Sequence, residues 1–157
     1  MKVNELMIGD WARLRYADHI TEEEYVKDFK VSEIRKHGRC YYVWSERWGN
    51  MERVEKIEPI PLIPKILKKN GFEHTPPMRV GPTLGQKWDL REEKFHINIE
   101  FNGNGTISIE IHNELAPKNE NGAADLVTYC RDWMNELYVH EFQQALRICG
   151  IKKEIEL

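Results

Sequence analysis

The stretch 94-KFHINIEF-101, followed by 102-NGNG-105 and 106-TISIEIHN-113, carries the clearest structural signal in the chain. Apolar residues alternate along both halves, at positions 95, 97, 99 and 101 and again at 107, 109 and 111. A period of two is typical of strands that bury one face. The Asn and Gly residues between the two halves favour a turn. The stretch therefore predicts an antiparallel β-hairpin over about 94-113.

The two apolar faces also restrict the length of the hairpin loop. Both use odd-numbered positions, so directly paired residues have an even sum and the loop contains three or five residues. Five residues place His96 opposite His112, and three place it opposite Glu110. Either pair would hold a metal if His74 or His140 supplied a third donor. The ordinary alternative is a solvent-facing polar side of a sheet, and we predict no metal and no other cofactor.

The C-terminal third has the periodicity of a helix. Val139, Phe142, Leu146 and Cys149 recur at intervals close to 3.6 residues, and Gly150 follows them. Such a stripe predicts an amphipathic helix over about 136-149 that ends at the glycine. Residues 125-135 fit either an extension of this helix or a separate strand.

The proline-rich stretch 57-IEPIPLIPKILKKNGFE-73 joins the two halves of the chain. Pro59 and Pro61 favour an extended backbone, because proline disfavours helix at the residue before it. Pro64 suits the first turn of a helix, where its missing N–H costs nothing. We predict a helix over about 64-70, stopped by Gly71. The alternative is a PxxP ligand for another protein.

Upstream of the prolines, the sequence is typical of short strands separated by turns. Four or five strands between Gly9 and Ile57 predict a small antiparallel barrel. The text GDW…VSEI…HGRCYYV resembles SH3-like and KOW-type barrels. The predicted class is α+β, an SH3-like barrel followed by an antiparallel sheet covered by two helices. We place a barrel lobe at 1-58 and an α+β lobe at 59-157, packed as one unit.

Composition and motifs narrow the function. The 157 residues are 41% hydrophobic and 31% charged, with a net charge of −3, as in ordinary globular proteins. Neither a signal peptide nor a membrane helix is predicted, and the three cysteines fit reduced thiols, which favours the cytoplasm. Phosphate-binding loops, GxSxG and HExxH are not found in the sequence. We therefore predict no catalytic residues and a protein that is not an enzyme.

Three phrases, ELMIGDW, IEPIPLIPKILKKNGFE and ELYVHEFQQALRICG, occur in this order along the chain. They resemble an uncharacterised family of gut Bacteroidetes, their phages and mobile elements, whose members tend to read ELRIGNxV, IxPIPLTxxxLxxxGF and YVHQLQNLYFALTG. Ile63 stands where the family usually has Thr, which removes an N-cap side chain. The segment 142-FQQALRICG-150 also departs from the family pattern. The resemblance implies the α+β architecture and a mobile-element setting. Together with the lack of catalytic motifs, it predicts a non-catalytic accessory protein that interacts with another protein of unknown identity.

An alternative function comes from residues 27-56, which contain eight Lys or Arg and five acids. Aromatic residues are interleaved with these cations. Small barrels bind single strands through such pairs, with rings stacking on bases and cations following phosphates. The candidate nucleic-acid-binding residues are Arg39, Tyr42, Trp44, Arg47 and Trp48. The competing interpretation makes the aromatic rings part of the barrel core, and burial of Tyr42 or Trp44 is the outcome we expect.

Overall fold

A computed structural model describes most of the chain. The described residues are 5–17, 20–46, 49, 51–76, 85–113 and 127–157, with the backbone alone at 127–128 and 132–133. Among them, no helix is long and apolar enough to cross a membrane.

The described residues form antiparallel sheets and two α-helices, which confirms the predicted α+β class. The first six strands are β1 (Trp11–Ala17), β2 (Glu24–Lys30), β3 (Glu33–His37), β4 (Cys40–Trp44), β5 (Met51–Arg53) and β6 (Ile57–Glu58). Later elements are α1 (Pro64–Lys69), β7 (Glu73–Thr75), β8 (Gln86–Glu92), β9 (Phe95–Phe101), β10 (Ile107–Asn113), β11 (Val127–Met134) and α2 (Val139–Ile148). The chain divides into two compact units, Met1–Pro61 with Tyr138–Glu141, and Leu62–Leu137 with Phe142–Leu157.

The first unit contains two three-stranded sheets, in the orders β2-β1-β6 and β3-β4-β5. A short 3₁₀ helix at Val54–Lys56 leads into β6. Alternate side chains of a strand share a face, and on β1 and β2 that face buries Ala12, Leu14 and Phe29. The core cluster consists of Leu6, Ala12, Leu14, Phe29, Val31, Val43, Val54 and Ile57.

Val31 and Ser32 connect the two sheets of the first unit, between the end of β2 and the start of β3. The N–H of Ser32 donates to the carbonyl of Trp44 over 2.8 Å, and the N–H of Val31 donates to that of Asp10 over 2.9 Å. Within the described residues the sheets do not join into a closed barrel, so the SH3-like architecture stays a prediction.

The second unit contains a five-stranded antiparallel sheet in the order β11-β10-β9-β8-β7. In the β9–β10 hairpin, Ile107 pairs with Phe101 and His112 pairs with His96. The structure thus has the five-residue loop of the two that parity allows. Asn102 closes it, because its N–H donates to the carbonyl of Thr106 over 2.7 Å. The segment that periodicity left open, 125-135, contains β11, which pairs with β10.

Both predicted helices end where glycines allow a left-handed residue. Gly71 has φ 84° and Gly150 has φ 73°. After α1, the N–H groups of Gly71 and Phe72 donate to the carbonyls of Lys68 and Leu67. This is the Schellman pattern, which satisfies the last carbonyls of a helix. Pro64 is the first residue of α1, as predicted, and Ile63 at the N-cap makes no side-chain cap.

The apolar face of the five-stranded sheet lies in the core of the second unit. Ile97, Ile99 and Ile111 are fully buried. Phe72 contacts Phe142 edge to face, with ring centroids 6.0 Å apart. The side-chain amide of Asn113, on β10, donates to the carbonyl of Cys149, just beyond α2. The residues of α2 in this unit therefore pack with the sheet, and Cys149 is buried as its place in the stripe predicts.

Candidate nucleic-acid interface

The sheet β3-β4-β5 has one face toward the core of the first unit and one face away from it. Val43 is buried, and Ile34 and Tyr41 pack against the same core cluster. Because side chains alternate along a strand, Tyr42 and Trp44 lie on the other face. Both are half-buried, and neither is among the residues that form the core cluster or pack against it. The expected burial of one of them in the core is wrong, because the inward position of β4 belongs to Val43.

Tyr42 lies between two arginines on this outer face. Arg35 on β3 and Arg53 on β5 are its direct cross-strand partners, one on each side. Both arginines are exposed. A hydrogen bond from Arg53 to the Tyr42 hydroxyl raises the pKa of Arg53 above its ordinary value. Directly paired residues have Cβ atoms about 5 Å apart, so a ring and two guanidinium groups share a small area.

Trp44 continues the same row of side chains along β4. Its cross-strand partners are Glu33 on β3 and Met51 on β5. Glu33 forms an ion pair with Arg35, which lowers the pKa of Glu33 and raises that of Arg35. The outer face thus combines two aromatic rings with two guanidinium groups and one carboxylate. We call Glu33, Arg35, Tyr42, Trp44 and Arg53 the aromatic–basic face.

The remaining candidates from the sequence have different positions. Arg39 is exposed in the turn between β3 and β4, next to Gly38 with φ 61°. Arg47 and Trp48 lie outside the described residues. The structure therefore brings Tyr42 and Trp44 together on one face and adds Arg35 and Arg53 to them. These two arginines were in the basic segment, but only the strand register shows that they flank Tyr42.

The histidine pair of the second unit does not have the geometry of a metal site. The rings of His96 and His112 stack with centroids 6.2 Å apart and an interplanar angle of 18°. Each Nε2 lies 3.1 Å from a different carboxylate, Asp89 for His96 and Glu110 for His112. His74 pairs with Trp88 and so lies on the opposite, apolar face of the sheet. In the described part of the chain, no group of three or more His, Cys, Asp or Glu could hold a metal.

His140 of the first unit is a buried titratable group. It is 3% exposed, and its Nδ1 has no hydrogen-bond partner among the described residues. Burial lowers the pKa of His140, and the charges of Glu141, Asp10 and Glu5 oppose that shift only in part. The ring stacks on Tyr138 with centroids 5.9 Å apart. These contacts are those of a neutral core imidazole.

We expect His140 to make the protein less stable in mild acid. Its folded-state pKa is below the unfolded value of about 6.5, so the unfolded chain takes up the proton first as pH falls. The contribution of His140 to the free energy of unfolding should be constant above about pH 6.5 and should decrease below it. Urea denaturation from pH 8 to pH 5 would measure this, with His140→Gln and the exposed His37→Gln compared. The decrease should shrink in His140→Gln alone, and equal pH profiles for all three proteins would contradict the assignment.

Comparison of the chain with protein-family models, curated proteins and solved structures finds no match.

Proposed function

We propose that the aromatic–basic face binds single-stranded nucleic acid. The observation that carries the proposal is the position of Tyr42 between Arg35 and Arg53, with Trp44 next along the same strand face. Every base offers a π-face, so partly exposed rings such as Tyr42 and Trp44 can stack on a single strand without reading its sequence. Guanidinium groups beside the rings can bind the phosphates that connect successive bases.

The order and pairing of the strands in the first unit support an SH3-like arrangement. Two residues connect strands β2 and β3, and a 3₁₀ helix precedes the last strand, β6. Strand β6 pairs with β1, which brings the two ends of the unit together. In the setting that the family resemblance implies, the protein would be a non-catalytic accessory factor of phages or mobile elements. It would act in the cytoplasm by holding a strand, with no reaction of its own.

The salt dependence of binding tests the role of the two arginines. A labelled 12-nucleotide single strand, titrated by fluorescence anisotropy at 50, 100 and 200 mM salt, should bind more weakly as salt rises. Each phosphate contact contributes a slope of about 0.7 in log affinity against log salt. The double variant Arg35→Gln, Arg53→Gln should therefore lose affinity and reduce the slope by about 1.4.

A matched variant separates local contacts from overall charge. Lys65→Gln with Lys68→Gln removes the same two charges from the exposed side of α1. It should leave both affinity and slope close to those of the wild type. Equal losses in the two double variants would indicate attraction by net charge and would contradict the proposed face. Wild-type protein that shows no salt-sensitive binding at tens of micromolar would also contradict it.

A further inference from the structure

The far end of the β1–β2 hairpin exposes four large apolar side chains. Tyr16 is 45% exposed, Ile20 93%, Tyr25 39% and Val26 49%. They make up half of the large hydrophobic residues that the described chain exposes. Single exposed apolar residues are ordinary, whereas several that adjoin indicate an interaction site. Val26, which pairs with Arg15, lies on the other face of the hairpin from the paired Tyr16 and Tyr25. We call Tyr16, Ile20 and Tyr25 the hairpin tip.

Two tyrosine rings form a fixed platform at the hairpin tip. Tyr16 and Tyr25 are direct cross-strand partners, and their rings stack with centroids 5.5 Å apart and an interplanar angle of 20°. The hydroxyl of Tyr25 donates to the carboxylate of Glu23 over 2.7 Å. A ring pair that is already ordered loses little conformational entropy when a ligand binds.

The surroundings of the platform are acidic. Glu22, Glu23 and Glu24 are consecutive and exposed, and one cation, Lys27, follows Tyr25 on the same face of β2. The guanidinium group of the nearby Arg15 forms ion pairs with two carboxylates, Glu24 and Glu58, each at 3.5 Å. Glu22 has φ 57°, a left-handed conformation that usually belongs to glycine. A surplus of negative charge beside two exposed rings is complementary to a cationic, planar group.

We propose that the hairpin tip is a docking surface for a basic segment of a partner protein, with an arginine as its anchor. A guanidinium group stacks on aromatic faces and forms bidentate pairs with carboxylates, so both features of the tip select it. Ile20, in the connection between β1 and β2, would contact an apolar neighbour of that arginine. The surface is separate from the aromatic–basic face and opposite in charge, so this inference does not rest on the proposed nucleic-acid function.

Selection from a library of random 12-residue peptides, displayed on phage, tests the proposal. Peptides enriched on immobilised wild-type protein should contain several-fold more arginine than the starting library. The best synthetic peptide should bind the Tyr16→Ala, Tyr25→Ala variant at least tenfold more weakly. It should also weaken on the Glu22→Gln, Glu23→Gln, Glu24→Gln variant, and Tyr16→Phe, Tyr25→Phe should retain most of the affinity. The Tyr42→Ala, Trp44→Ala variant should bind it as the wild type does.

Several outcomes would overturn the proposal. They are the absence of enriched peptides, enrichment without a basic bias, and equal binding to the wild type and the tyrosine variant. Self-association in analytical ultracentrifugation that the tyrosine substitutions abolish would assign the tip to a second copy of this chain instead. If circular dichroism shows that the alanine variant does not fold, the glutamine variant provides the test. It replaces exposed side chains and leaves the ring pair in place.

Discussion

Replacement of Tyr42 and Trp44 by alanine is expected to weaken binding of a single-stranded oligonucleotide at least tenfold. Each stacked base contributes about 1–3 kcal/mol, and about 1.4 kcal/mol corresponds to a tenfold change in affinity. Both rings lie on the face of β4 opposite the buried Val43, so their removal leaves the core cluster unchanged. Fluorescence anisotropy would measure the affinity, and near-ultraviolet circular dichroism would report whether the fold survives.

The control for this prediction removes two aromatic rings from the other sheet of the same unit. Tyr16→Ala with Tyr25→Ala deletes the exposed stacked pair and should leave oligonucleotide binding unchanged. The conservative variant Tyr42→Phe, Trp44→Phe retains both π-faces and should keep most of the affinity. A duplex of the same sequence should bind more weakly than the single strand, because its bases are already stacked on one another. Equal affinity for duplex and single strand would point to charge alone.

The aromatic half of the candidate site could be predicted from the sequence, and of the basic half only Arg35 could. Alternation along 40-CYYVW-44 places Tyr42 and Trp44 on one face whatever the neighbouring strands do. Arg35 and Arg53 join them only through pairing register. A two-residue turn at Gly38 and Arg39 pairs His37 with Cys40 and hence Arg35 with Tyr42. The length of that turn therefore identifies Arg35 as a partner of Tyr42. Arg53 follows a longer loop, whose length does not fix the register of β5 against β4.

The fold shows the same division between local pattern and tertiary choice. The hairpin of the second unit follows from its alternation and its Asn and Gly residues, which act locally. The sequence does not determine the length of its loop, because loops of three and five residues both place the apolar side chains of the two strands on one face. Similarly, the segment 125-135 has no decisive period, and its residues Val127–Met134 form a strand because β10 pairs with them on its free side. In both places the structure depends on which residues of a neighbouring strand form the hydrogen bonds. The sequence of the segment alone does not specify those residues.

The apolar stripe of α2, in contrast, follows directly from the spacing of its residues. Replacement of Phe142, one of them, is expected to change stability strongly. Phe142 is fully buried and contacts Phe72 edge to face. Phe142→Ala is expected to reduce the free energy of unfolding by about 3–5 kcal/mol, because it removes a large apolar side chain and leaves a cavity. Domains are stable by only about 5–15 kcal/mol, so the variant would lose a large share of that total. Urea denaturation followed by circular dichroism would measure the change.

Position 148 on the same helix provides the matched control for Phe142. Ile148 is 71% exposed. Ile148→Ala therefore also replaces a large apolar side chain by a methyl group, but on the water-exposed surface. It should change the free energy of unfolding by less than about 0.5 kcal/mol. The intermediate variant Phe142→Leu should fall between the two, because leucine fills part of the cavity. If Phe142→Ala cost no more than Ile148→Ala, the apolar face of the sheet and the helix stripe would not form one packed core. The sheet would then need some other cover, since Ile97, Ile99 and Ile111 are too apolar to face water together.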